Sequence, residues 1–309
     1  MTALRRSFLA CLLAVVACHS TPPKPETSGA TPTTSTSTSP SPTSVAFEAD
    51  HVAELVRYLA DLGPRETTSA TFGNAARYVE NQFAASGYHV RRQSFRVSGG
   101  RSNGARVPAG STFNVVAEPK GFDPTKRHIV VGAHLDTVPQ APGAVDNAAG
   151  VGIVVELARL TALEPTPLPI VFVAFGAEES RGETGGLHGS RKYVESLSSA
   201  ERRAIAYMVA IDRVGTGSRV PVCVSRASAL SLQRRFLDTA RRIGVPAYGC
   251  TNGSSDHASF SAAGIPAIRI GPDNYAEYHT ARDVFSIFVP AQAARAGAFL
   301  WQVLRTGIR

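Results

Sequence analysis

No internal repeat, no mature hydrophobic run long enough to cross a bilayer, and no basic block interleaved with aromatics occurs in this chain of 309 residues. The first absence sets repeat architectures aside. The second argues against a transmembrane helix in the mature protein. The third, with no nucleic-acid motif present, separates the formal charge of +8 from nucleic-acid binding. The excess is arginine scattered along the chain (Arg91, Arg92, Arg202, Arg203, Arg234, Arg235, Arg241, Arg242), mostly on polar helix faces. It reads as a solvated surface with weak attraction to anionic envelopes. Cysteine is scarce too: of four, Cys11 and Cys18 fall in the leader. Cys223 and Cys250 remain, a pair compatible with a disulfide in an exported protein and equally with two buried thiols.

What is present begins with a targeting segment over residues 1–18. Arg5 and Arg6 precede an apolar core from Phe8 to Val16, and Val15-Val16-Ala17-Cys18 resembles a bacterial lipobox. The expectation is export to the cell envelope and a membrane tie through a lipid on Cys18, the alternative being ordinary secretory cleavage nearby. Residues 19–45 are rich in Pro, Ser and Thr and too poor in apolar residues to bury a core, so they read as a disordered tether. Residues 46–309 are 260-odd positions of one domain, the large end for a single core.

Within that domain, strands and helices alternate. Apolar runs at His128–Ala133, Pro169–Phe175, Ala204–Ile211, Val220–Val224 and Ala267–Ile270 read as buried strands, and Tyr88–Val97 alternates as a half-buried one. Helical spacing marks Val52–Leu59 behind Asp50 as cap, Thr71–Ser86, Asn147–Leu163, Leu187–Leu197, Ala229–Ile243 and Pro290–Arg305. Gly99–Gly110 reads as a glycine-rich loop. The fold class is α/β, a three-layer arrangement with a mixed, mostly parallel central sheet flanked by helices.

Polar groups stand where the apolar strands run out: His134, then Asp136, then Glu178-Glu179 and Asp212, with Asp146 and His279 in loops able to return to the same edge. In open α/β sheets that edge is where sites are built. Each residue alone has a bland reading, as a helix cap, a solvated turn or a surface imidazole. Together, two imidazoles and three carboxylates form a mixed N/O donor set that suits zinc or a similar first-row divalent ion. Five ligands exceed one catalytic zinc with an open position and suit two ions sharing a carboxylate. Asp136 is expected to steady His134.

The motifs GAHLDT (132–137), GAVDNAAG (143–150), AEES (177–180), IDRVG (211–215), SDHASF (255–260) and YHTARD (278–283), in that order, resemble those of the di-zinc aminopeptidases, metallopeptidase family twenty-eight. The resemblance covers about residues 47–307 and implies a zinc-dependent exopeptidase acting on the amino terminus of peptides. It implies that His134 and Asp212 hold one Zn2+, that Glu179 and His279 hold the other, and that Asp146 bridges. Glu178 would be the general base and Asp136 a hydrogen-bond partner of His134. Asp256 and His257 would stand near the pocket without binding metal, and the Asp146–Asn147 peptide would be cis. Three departures stand out: extra residues from Ser180 to Gly185, Arg213 where the family often has an apolar residue, and Thr251 and Asn252 where some relatives carry a tyrosine for the oxyanion. The competing readings are a glutaminyl-cyclase-like acyltransferase or other amidohydrolase on the same fold, and a non-catalytic binding module.

Overall fold

The structure is a computed structural model and describes residues 45–308 except 273. The leader with Cys18 and the tether up to residue 44 lie outside the described residues. Among the described residues no helix is long and apolar enough to cross a membrane.

Eight strands form the main sheet in the order β1(His89–Val97)–β4(Gly110–Glu118)–β6(Ile170–Phe175)–β5(His128–His134)–β7(Ile205–Ile211)–β10(Ala267–Ile270)–β8(Val220–Val224)–β9(Ala247–Thr251). β6, β5, β7 and β10 run parallel, while β1, β4 and β8 supply antiparallel pairings. The sheet is therefore mixed with a parallel centre, as the sequence predicts. Side chains alternate between its faces. Ile129, Val131 and Ala133 of β5 join the core beneath helices α1(Ala49–Asp61), α2(Ala70–Ala85), α3(Ala149–Leu163) and α8(Pro290–Thr306). Val130 joins the opposite core, with Tyr193 of α4(His188–Ser196) and Phe260 of α7(His257–Ala262). Coverage of both faces is why β5 and β6 are buried along their whole length and lack polar alternation.

Several local readings shift. Asp50 is not a cap; it lies in the first turn of α1, and Glu48 takes the cap position, its amide donating to Glu156. Gly99–Gly110 contains a second, two-stranded sheet, β2(Gly100–Ser102) with β3(Ala105–Val107). Its turn is Asn103-Gly104, both at positive φ, the conformation an Asn-Gly pair favours in a tight hairpin. The helix expected from Asn147 begins at Ala149, because Asp146 and Asn147 have non-helical backbone angles. β9, α7 and the short α5(Ser199–Ala204) carry too little periodic signal to be read in advance. α6(Leu230–Arg242) packs Phe236 into the larger core.

Cys223 and Cys250 form a disulfide between directly paired positions of β8 and β9. The bond closes a loop of 27 residues. Chain-entropy arguments give such a loop about 3–4 kcal/mol of stabilisation. Cys223→Ser with Cys250→Ser is expected to lower the unfolding free energy by that order, read as a shifted denaturant midpoint; an unmoved midpoint would contradict it.

Candidate metal centre

Strand order makes the site. β5 lies between β6 and β7, so the residues at their carboxyl ends are neighbours. His134 closes β5, Glu178-Glu179 follow β6 after a tight turn, and Asp212 follows β7 directly. The loop after β5 returns to present Asp146 at the foot of α3, and the loop after β10 delivers His279.

All five sequence-predicted metal ligands meet. Three groups each bring one donor atom per residue within 4.8 Å of one another: His134/Asp146/Asp212, Asp146/Glu179/His279 and His134/Glu178/Glu179. His134 Nε2 stands 3.1 Å from Asp146 Oδ1 and 3.4 Å from Asp212 Oδ1. His279 Nε2 stands 3.4 Å from Asp146 Oδ2 and 3.1 Å from Glu179 Oε2. Asp146 thus turns one carboxylate oxygen to each imidazole.

The supporting contacts show why these side chains stay in place. His134 Nδ1 contacts the backbone carbonyl of Asp136 at 3.0 Å, which sets the tautomer that leaves Nε2 free. Asp136 is thus the hydrogen-bond partner of His134 through its backbone carbonyl, while its carboxylate lies 3.9 Å from His134 Nδ1. That carboxylate instead accepts the backbone N–H groups of Glu178, at 3.0 Å, and Glu179, at 3.2 Å. It steadies the histidine through its carbonyl and the glutamates through its side chain. Asp146 is held at the backbone. Asp283 accepts the N–H groups of Val145 and Asp146 at 2.8 and 3.1 Å. The Asp146–Asn147 peptide is cis. Asp212 Oδ2 pairs with buried Arg269 at 3.1 Å and, less closely, with Arg213 at 3.5 Å.

Four supports escaped the sequence reading. Arg65 is wholly buried and donates to the carbonyls of Leu135, Leu59, Pro142 and Gly143, pinning the loop between Asp136 and Asp146. Asp283 and Arg269 are the second and third. The fourth is Asn103 at the hairpin tip, whose amide donates to the carbonyl of His279 at 2.9 Å while its own carbonyl accepts from Gln140. Only the quoted YHTARD motif hinted at Asp283; the other three sit in segments with no chemical signature. The extra residues after Glu179 form a turn anchored by Arg181, which pairs with Glu66 and donates to the Ser98 and Pro108 carbonyls. His257 contacts the Asn252 carbonyl at 2.8 Å, and neither it nor Asp256 belongs to a group able to hold a metal ion among the described residues.

Electrostatically the cluster calls for cations. Burial pushes Glu179 up to about 7 and Glu178 well above the usual carboxylate range, in each case with neighbouring carboxylates adding to the rise. Burial also opposes charge on Asp212, but Arg269 and then Arg213 hold it well below the ordinary value. His279 loses to burial and gains more from the neighbouring carboxylates of Asp146 and Glu179, rising to about 9. Asp212 Oδ1 and His279 Nε2 are buried with no hydrogen-bond partner. Unpartnered buried donors and acceptors are costly, and these two point at a common cluster of carboxylates and imidazoles. The donor chemistry fits zinc or a similar borderline divalent ion.

The profile described as Peptidase family M28 matches residues 114–304. Aminopeptidase YwaD of Bacillus subtilis is 34% identical over 180 residues, 55% of this chain and 38% of that protein. The match spans less than half the length of this and two other curated relatives. Among solved structures, the zinc aminopeptidase BSAP of Bacillus subtilis superimposes with a TM-score of 0.71 at 19% identity, covering 83% of this chain and 94% of that one. A glutaminyl cyclase of Bacteroides thetaiotaomicron gives 0.73 at 20% identity, covering 86% and 100%. At these identities the structural likeness speaks for the fold.

Proposed function

The chain belongs to peptidase family M28, and on that premise we propose that it is a zinc-dependent aminopeptidase that removes residues from the amino terminus of peptides. The observation that carries this reading is Asp146, whose two carboxylate oxygens face two separate imidazole-carboxylate groups, neither of which includes Glu178. In it, His134 and Asp212 would hold one zinc ion, Glu179 and His279 would hold the other, and Asp146 would serve both. Bound there, the ions supply Lewis acidity, which acidifies a water and draws charge from the scissile carbonyl.

The chain's own residues do the rest. Glu178 is half-buried, and its backbone is fixed by the Asp136 carboxylate at 3.0 Å. An uncoordinated carboxylate beside the ligand Glu179 suits a group that takes a proton from the attacking water and returns it to the leaving amine. A glutaminyl-cyclase-like reading would need one ion and would have no use for His134. The paired contacts of His134 with Asp146 and Asp212 favour the two-ion reading. The leader supports export and a lipid on Cys18, and the Cys223–Cys250 bond suits an oxidising compartment.

The purified protein is expected to carry two zinc ions per chain, to hydrolyse aminoacyl anilides, and to stop when chelator is added. His279→Ala is expected to retain about one ion per chain by elemental analysis. Protein that binds no metal, or that leaves every free amino-terminal substrate intact, would overturn the reading.

A further inference from the structure

Resting on the aminopeptidase reading, we propose that Arg213 recognises a carboxylate on the substrate, so that the enzyme favours peptides bearing an acidic group beside the scissile bond. Arg213 follows the candidate ligand Asp212 directly and is 4% exposed. Its backbone sits at φ 59°, the left-handed region that a residue with a β-carbon rarely adopts. The backbone is held there by the N–H donation of Arg213 to Asn147 Oδ1 at 3.3 Å. The guanidinium lies over the ring of Tyr278, 4.8 Å from its centroid, and the same ring stacks on the imidazole of His279 at 3.8 Å. The cation therefore stands beside Asp212 and is linked to His279 through the Tyr278 ring.

Pairing with Asp212 spends only part of the guanidinium. Arg269 already approaches Asp212 Oδ2 more closely, at 3.1 Å against 3.5 Å. A guanidinium offers five N–H donors. The other side-chain contact of Arg213 is long, 3.4 Å to the hydroxyl of exposed Ser254. Its buried Nε has no hydrogen-bond partner. Unspent donors on a buried planar cation match a carboxylate, which accepts two parallel N–H groups. A substrate ammonium, by contrast, is repelled from that wall and is left to the glutamate side of the cluster. Two sources could bring the carboxylate: the side chain of an amino-terminal Asp or Glu, or the free carboxyl end of a dipeptide.

The test compares kcat/KM for charged and neutral partners on the full protein: glutamyl against glutaminyl anilide, and Ala-Leu against Ala-Leu amide. At least one charged partner is expected to be favoured 10-fold or more, the responding pair naming the source. In Arg213→Met that ratio is expected to fall to near one, chiefly through KM. Arg213→Lys, which keeps the charge but loses the fork, should keep an intermediate ratio. A readout independent of any variant is product inhibition of the wild type, where the acid that responds should inhibit at least 10-fold more tightly than its amide. Ratios near one in the wild type, or a preference that survives in Arg213→Met, would overturn the role of Arg213 while leaving the aminopeptidase reading intact. Failure to cleave any of the four substrates would overturn that reading and this proposal with it.

Discussion

Glu178→Gln is expected to cut kcat by about 100- to 10,000-fold, the range for removing a positioned general base, while two zinc ions per chain remain bound. The substitution keeps shape and hydrogen-bonding length and removes the basic oxygen. Metal retention is expected because each of the two groups that share Asp146 is complete without Glu178. Its backbone anchor on Asp136 is also unaffected, since it runs through the N–H group. Anilide turnover and elemental analysis on the same preparation check the pair of outcomes. Activity within 10-fold of wild type would remove Glu178 from the proton transfer. Loss of metal would show that it is a ligand instead.

Arg65→Met is expected to cost about 3–5 kcal/mol, the scale for breaking a buried charged network by removing one member. Four carbonyls, of Leu59, Leu135, Pro142 and Gly143, lose their donor together. Burial lowers the guanidinium itself to about 10, and the nearby acids Asp283, Asp136 and Asp146 work against that fall. Removing the cation leaves those acids less compensated. For a domain of this size roughly 2–4 °C accompanies each kcal/mol, so the melting midpoint should drop by about 6–20 °C. Arg65→Lys should recover only a small part, because one ammonium cannot reach carbonyls spread over both sides of the loop. Zinc retention should weaken as well, since the same loop carries Asp146. A melting curve that overlays the wild type would sink the clamp.

Both predictions depend on residues whose visibility in the sequence differed sharply. Glu178 was legible because it follows a run of buried β-branched and aromatic residues, where charge has no packing reason to appear. Arg65 was not, because an arginine after Gly63-Pro64 looks like any solvated loop cation. Nothing local reveals that carbonyls up to 78 positions away converge on it. Asp136 falls between these cases. Its place beside His134 was readable, but the choice between its carbonyl and its carboxylate was set by how the Glu178 turn approaches. The hairpin at Asn103-Gly104 carried a local turn signal, yet its contact with the His279 carbonyl spans 176 positions.

The amino-acid sequence by itself determined the alternation of buried strands and helices, and the placing of imidazole and carboxylate groups at the points where apolar runs stop. Those features are local, since side-chain periodicity and the cost of burying charge act over a few residues. Only the tertiary structure decided that β5 lies between β6 and β7, which of two Asp136 groups meets His134, and that Arg65, Arg269 and Asn103 brace the ligands. Those features depend on hydrogen bonds and packing between segments distant along the chain, which no local pattern encodes.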